Sequence, residues 1–193
     1  MKDVLTELLD RIHNRREKNL LIAVDGRCAS GKTTLASVLQ EKTGCTVLHM
    51  DDFFLRPGQR TEQRMREPGG NVDYERFLEE VMLPLSRGEA FSYHAYDCGK
   101  KALSSAVHVA PGAVTVVEGS YSCHPVLWDY YHLHVFLSIE KEEQLRRIRR
   151  RNGEEAAGRF RDLWIPLEER YFTSYNIYQR SEFQITQEGI SGG

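Results

Sequence analysis

Apolar residues in this chain fall into two alternating patterns. Short, nearly unbroken apolar runs occur at 19–24 (NLLIAV), 46–50 (TVLHM), 113–119 (AVTVVEG), 132–139 (HLHVFLSI) and, more weakly, 182–186 (EFQIT). Their length and β-branched content favour strands, and near-continuous apolarity suits strands covered on both faces of a parallel sheet. Between them, apolar positions recur at helical spacing over 32–42, 73–86, 123–131, 141–151 and roughly 160–178. Residues 3–17 set Val4, Leu5, Leu8, Leu9 and Ile12 on one helical face. Acids as well as bases line the polar side, which reads as a helix packed on the protein rather than on a membrane. Strands alternating with helices predict an α/β three-layer sandwich: a five-stranded parallel sheet with helices on both faces.

Two segments break the alternation. Residues 55–72 (LRPGQRTEQRMREPGGNV) are charged and rich in Gly and Pro, and read as a long loop. Residues 87–112 read as a short hairpin turning near Gly99. Segments of this length in a compact protein are often lids or binding loops. The tail, 187–193, reads as disordered.

Composition narrows the classes. A chain of 193 residues suits one domain, 1–193, with a continuous core. A formal net charge of −2 argues against an obligate grip on nucleic acid. The four cysteines, Cys28, Cys45, Cys98 and Cys123, include no CxxC pair, so neither a zinc site nor a disulfide framework is indicated and a reduced, cytoplasmic chain is expected. No signal-peptide core and no apolar run of membrane-spanning length appears, so no membrane partner is expected.

Residues 26–33, GRCASGKT, fit G-x-x-x-x-G-K-[ST], leaving a strand and entering a helix. Glycines let the backbone curl so that amides point at phosphate oxygens, and the following helix adds its positive end. The expected nucleotide contacts are Gly26, Arg27, Cys28, Ala29, Ser30, Gly31, Lys32, Thr33 and Thr34. Lys32 would reach the β- and γ-phosphates and the Thr33 hydroxyl would ligate Mg²⁺; ATP and Mg²⁺ are the implied cofactors. No N-K-x-D or post-strand D-x-x-G accompanies the loop, which disfavours a signalling GTPase.

Ligands of α/β sheets sit at the carboxyl ends of the strands. Asp51 and Asp52 hold that position after TVLHM, and Glu118 after AVTVV. Phosphoryl transfer needs a metal ion, a positioned nucleophile and a group to take its proton. Asp51 is the expected base, and Glu118 with Thr33 the metal shell, with Asp51 within reach of the same ion. Asp52 is the alternative for either role. Phe53 and Phe54 either roof an acceptor pocket or pack in the core.

With MDDFF, GGNVDYERF, AYDC, VVEGSY and EEQLRRIRRR, residues 19–186 resemble the uridine kinase group of small-molecule kinases, relatives of nicotinamide riboside kinases, phosphoribulokinases and bacterial pantothenate kinases. The resemblance implies that Asp51 is the base and that Asp73 holds vicinal ribose hydroxyls, unless it caps the helix that follows. It also implies that Tyr96 contacts the base or the acceptor. The CGKKA segment after Tyr96–Asp97, Arg151 where the group's lid has an acid, and GSYSCHP after the third strand depart from the group's pattern.

An arginine-rich lid is expected next, because guanidiniums neutralise charge spread over a transferring phosphoryl group. Arg147 and Arg150 share a helical face at i, i+3 and are the expected catalytic pair, with Lys32; Arg159 is a further substrate contact. His124, just beyond Glu118, is a candidate substrate contact. His132 and His134 lack a third ligand and read as core or surface residues. Tyr171, Phe172, Tyr175 and Tyr178 read as core or as a contact between copies, leaving a homo-oligomer open. The expected activity is transfer of the γ-phosphate of ATP to a nucleoside hydroxyl, uridine- or cytidine-like. The alternatives are another small alcohol (nicotinamide riboside, pantothenate, a sugar phosphate) or a non-enzymatic nucleotide-binding module.

Overall fold

The computed structural model describes residues 2–186. Strands β1 (Leu20–Gly26), β2 (Thr46–His49), β5 (Val114–Glu118), β6 (Leu133–Ser138) and β7 (Phe183–Thr186) form one parallel sheet in the order β2-β5-β1-β6-β7. Strands β3 (Phe91–Asp97) and β4 (Ala102–Val109) form a separate antiparallel hairpin with an irregular register between His94 and Tyr96. This is the expected α/β architecture. Each predicted strand lies within two residues of its observed bounds.

Side chains of a strand alternate between faces, and both faces of β1 are apolar. Leu20, Ile22 and Val24 join Leu8 and Ile12 of α1 (Lys2–His13) and Leu35 and Leu39 of α2 (Lys32–Thr43). Leu21 and Ala23 join a second core with Phe53, Phe77, Val81, Leu85, Tyr171 and Phe172. Helices therefore cover both sides of the sheet. The chain leaves β1 toward β2 on one side and later fills β6 and β7 on the other. The end of β1 is thus the switch point at which α/β sheets open a crevice.

The irregular parts differ more from expectation. The 55–72 loop contains a 3₁₀ turn at Pro57–Gln59 and a short helix, α3 (Glu62–Arg66), whose amide at Arg64 donates to the Thr61 hydroxyl at 3.1 Å. The helix expected at 73–86 is α4 (Tyr74–Phe77), a wide π turn (Leu78–Met82) and α5 (Leu83–Ser86). Only α6 (Pro125–Trp128) forms in 123–131. Helix α7 (Lys141–Asn152) is followed by α8 (Glu154–Arg159), a second π turn (Phe160–Trp164), α9 (Ile165–Ser174) and α10 (Ile177–Arg180). Each π turn precedes a proline, Pro84 or Pro166, which has no N–H to return to the preceding turn. The expected disorder at 187–193 falls outside the described residues.

Candidate active site

The cradle is set by local sterics. Gly26 has φ +133°, and a Cβ there would meet the Leu137 carbonyl oxygen of β6 at 2.1 Å, so no side chain fits. Ala29 and Gly31 have φ of 61° and 95°, which curl the loop around to α2. No side chain caps the start of α2, so its first amides face the loop's concavity. The Lys32 ammonium donates to the carbonyls of Gly26 and Arg27 at 2.8 and 2.9 Å and spans the loop.

Register then brings β2 and β5 to the same rim, because His49 is paired with Glu118. Glu118 Oε1 accepts from the Thr33 hydroxyl at 3.2 Å and lies 2.6 Å from His49 Nδ1. That bond raises the pKa of His49, as do the nearby Asp52 and Asp51 carboxylates. Gly119, with φ +136°, allows the 3₁₀ turn Met50–Phe53 to close on β5; a Cβ there would lie 2.9 Å from Met50 Cβ. The turn presents Asp51 to the cavity. Surrounding protein raises its pKa through desolvation, with Lys32 pulling the other way. Asp52 turns aside, accepting from the Tyr93 hydroxyl at 2.8 Å.

A cavity of about 530 Å³ collects these groups: Cys28, Ala29, Gly31, Lys32, Thr33, Thr34, Asp51 and Glu118 line it. Arg147 lines it too, with Nε 2.6 Å from Glu143. Gly26, Arg27 and Ser30 form the loop behind. Arg150 and Arg159 are exposed and do not line the cavity; the second lid arginine there is Arg151, one helical turn from Arg147. Phe53 packs in the core against Phe77 and Tyr93, at ring distances of 4.9 and 5.2 Å, and it is Phe54 that lines the cavity.

Three further expected residues lie off this cavity. Asp73 caps α4, accepting from the Arg76 amide at 3.3 Å, and also accepts from Gln59 Nε2 at 2.8 Å. It borders a second cavity of about 380 Å³ with Leu55, Thr61 and Arg64. Tyr96 is buried in the hairpin. The His124 ring stacks on Tyr74 at 4.0 Å.

Several site residues carried no motif. Glu168 of α9 is buried at the cavity wall, accepting from the Cys28 amide at 3.1 Å and the Ser120 hydroxyl at 2.7 Å; burial raises its pKa. Asp25, the penultimate residue of β1, is buried and accepts from the amides of Gly26, Tyr121 and Cys123 and from the Tyr171 hydroxyl. These bonds hold Tyr121 at φ 75°. A carboxylate inside an apolar strand was the available signal for Asp25. Nothing local marks Arg60, Asn71, Tyr121, Phe160 or Trp164, which reach the cavity from separate segments.

The oxygens of Thr33, Glu118 and Asp51 on one cavity wall are the hard donors that Mg²⁺ takes, and that ion needs only one or two protein ligands when phosphates supply others.

A family model described as "AAA domain" matches residues 22–163. Among solved structures, the chain is similar to a possible uridine kinase from Bacillus stearothermophilus (18% identity, 95% of this chain and 98% of that one covered, TM-score 0.69). It is also similar to a Silicibacter sp. TM1040 protein proposed to be a fructose transport system kinase (20%, 94% and 96%, TM-score 0.72). A third is D-glycerate 3-kinase from Cryptococcus neoformans var. grubii (17%, 98% and 95%, TM-score 0.64). At these identities the likeness speaks for the fold. No curated protein matches the sequence.

Proposed function

The chain belongs to the AAA-domain family, and we propose that it is an ATP- and Mg²⁺-dependent phosphotransferase acting on the hydroxyl of a small molecule. One observation carries this reading: Asp51 opens on the same cavity as Lys32, Thr33 and Glu118. Glu118 suffices for the metal, so a second acid facing the cradle suits the proton of an acceptor hydroxyl.

When bound, Mg²⁺–ATP supplies the transferable γ-phosphoryl group. The amides at the start of α2 and the Lys32 ammonium would bind phosphate oxygens, and Thr33 and Glu118 would hold the metal. Asp51 would accept the proton that the acceptor hydroxyl gives up on transfer, with ADP as the leaving group. Arg147 and Arg151 would stabilise the charge on the transferring group and exclude water.

For the acceptor, we infer a nucleoside, uridine- or cytidine-like, as in a salvage kinase of the cytoplasm. The sequence resemblance supports it, and so do Phe54, Phe160 and Trp164, which offer faces for a flat ring. Asp73, Tyr96 and His124 lie off the cavity, so this reading does not rest on them. Nicotinamide riboside, pantothenate and sugar phosphates remain in the same chemical class. The four cysteines are free, in keeping with a reducing compartment, and no helix among the described residues is long and apolar enough to cross a membrane.

The test is incubation of purified protein with Mg²⁺–ATP and a panel of nucleosides, pantothenate and sugar phosphates, with products read by mass. A phosphorylated alcohol is expected. ATP hydrolysis with no acceptor phosphorylated would instead select the regulatory-module reading.

A further inference from the structure

Four arginines lie in the segment that follows the Asp51 turn: Arg56, Arg60, Arg64 and Arg66. Three have carboxylate partners. Arg56 lies 3.8 Å from Asp73, Arg64 is 2.5 Å from Glu75, and Arg66 pairs with Glu62. Among the described residues, Arg60 has no acidic partner, and it is the one of the four that lines the main cavity. Its Nε donates to the Leu55 carbonyl at 3.1 Å, and its backbone amide to that of Pro57 at 3.3 Å. Those bonds fix the stem and leave the terminal nitrogens for a ligand. The cradle and lid already bring Lys32, Arg147 and Arg151 to the nucleotide, whereas Arg60 comes from the acceptor-side segment. Cys98, at the hairpin tip, lines the same cavity as Arg60 and Asp51.

A guanidinium is an acceptor-blind fork of N–H donors that matches carboxylate or phosphate oxygens two at a time. Both acids of the loop serve other arginines, Glu62 pairing with Arg66 and Glu67 with Arg64, so Arg60 is left without one. We propose that Arg60 binds an anionic group of the acceptor, a carboxylate or a phosphate, so that the preferred substrate is a hydroxylated anion rather than a neutral alcohol. Asn71 and Phe54 line the space beside it and bound the body of that molecule. The proposal rests on the phosphotransferase reading and sharpens it: the nucleoside idea survives only in a form that carries an acidic group.

Paired acceptors test it: uridine against orotidine, glycerol against glycerate, ribose against ribose 5-phosphate. Turnover is measured with Mg²⁺–ATP, and acceptor binding by calorimetry with a non-hydrolysable ATP analogue, for wild type, R60Q and R60K. At least one anionic member should exceed its neutral partner in kcat/KM or affinity by about ten- to a hundredfold. R60Q should collapse that ratio to within about threefold, mainly through KM, and R60K should restore part of it. The carboxylate and phosphate arms then show which anion is read. Equal or better use of the neutral members, or a ratio unmoved by R60Q, overturns the proposal while phosphorylation of any acceptor keeps the kinase reading. Arg60-dependent anion binding without transfer would keep the proposal and sink the kinase reading. No anion bound more tightly by wild type than by R60Q sinks the proposal outright.

Discussion

At position 51 a carboxylate faces the cavity and at position 52 the next one turns to the hairpin, because a 3₁₀ turn rotates successive side chains by about 120°. The adjacent acids were legible as a pair at a strand end; which one faces the cavity depends on a turn closed by Gly119 from another strand. His124 shows the same dependence. Six residues past Glu118 it reads as near the site, yet it caps α6 with Nδ1, accepting from the Val126 amide at 3.3 Å, so the ring is neutral. Burial lowers its pKa from 6.5 to about 4. The sign follows. The unfolded imidazole takes up a proton as pH falls through 6.5 while the folded one resists until about 4, so stability held above pH 6.5 drains away across that window. The loss approaches roughly 3 kcal/mol. Denaturation of wild type and His124→Gln between pH 4 and 7.5 should show their stability difference shifting against wild type by most of that amount at the acid end. A pH-independent difference would mean the folded ring titrates normally.

Among the helices, α7 explains why the lid arginines were only half legible. Arg147, Arg150 and Arg151 all suit a shared face by spacing alone. The face is chosen by Gln144 and Ile148, which are buried, and Gln144 Nε2 donates to the Cys28 carbonyl at 3.1 Å. Arg150 lies about 200° around the helix from Ile148, whereas Arg151 returns to the cavity side. R147A and R151A should each lower kcat on the order of a hundredfold, and R150A should stay within about twofold, as measured by steady-state kinetics. An R150A loss as large as that of R151A would place the wrong face over the phosphates. One turn of α9 gathers the rest: Glu168 meets Cys28 and Ser120, Glu169 lies 2.6 Å from Arg27, Arg170 donates to the Met65 carbonyl at 2.8 Å, and Tyr171 donates to Asp25. In the sequence Tyr171, Phe172, Tyr175 and Tyr178 read as core or as a contact between copies; Tyr171 and Phe172 are core, whereas Tyr178 is exposed. The polar residues beside them gave no sign, since each partner is distant along the chain.

For the molecule as a whole, strands, switch point and cradle were legible because they rest on local apolar runs and on a motif whose geometry is its own backbone. The rest of the cavity wall was not. It is assembled from 54–71, the hairpin tip and the α7–α9 region, so Arg60, Asn71 and Tyr121 stayed silent, while Asp73, Tyr96 and His124 lie off that wall. What unites the two parts is the alignment of a phosphate cradle with one open carboxylate. The most direct measurement is transfer of labelled γ-phosphate from Mg²⁺–ATP to the acceptor by wild type and D51N, with nucleotide affinity determined on the same samples. D51N should bind the nucleotide within about threefold of wild type and lose transfer by on the order of 10²–10⁴. Transfer at the wild-type rate would contradict the assignment of Asp51 as the base, and with it the account of the cavity.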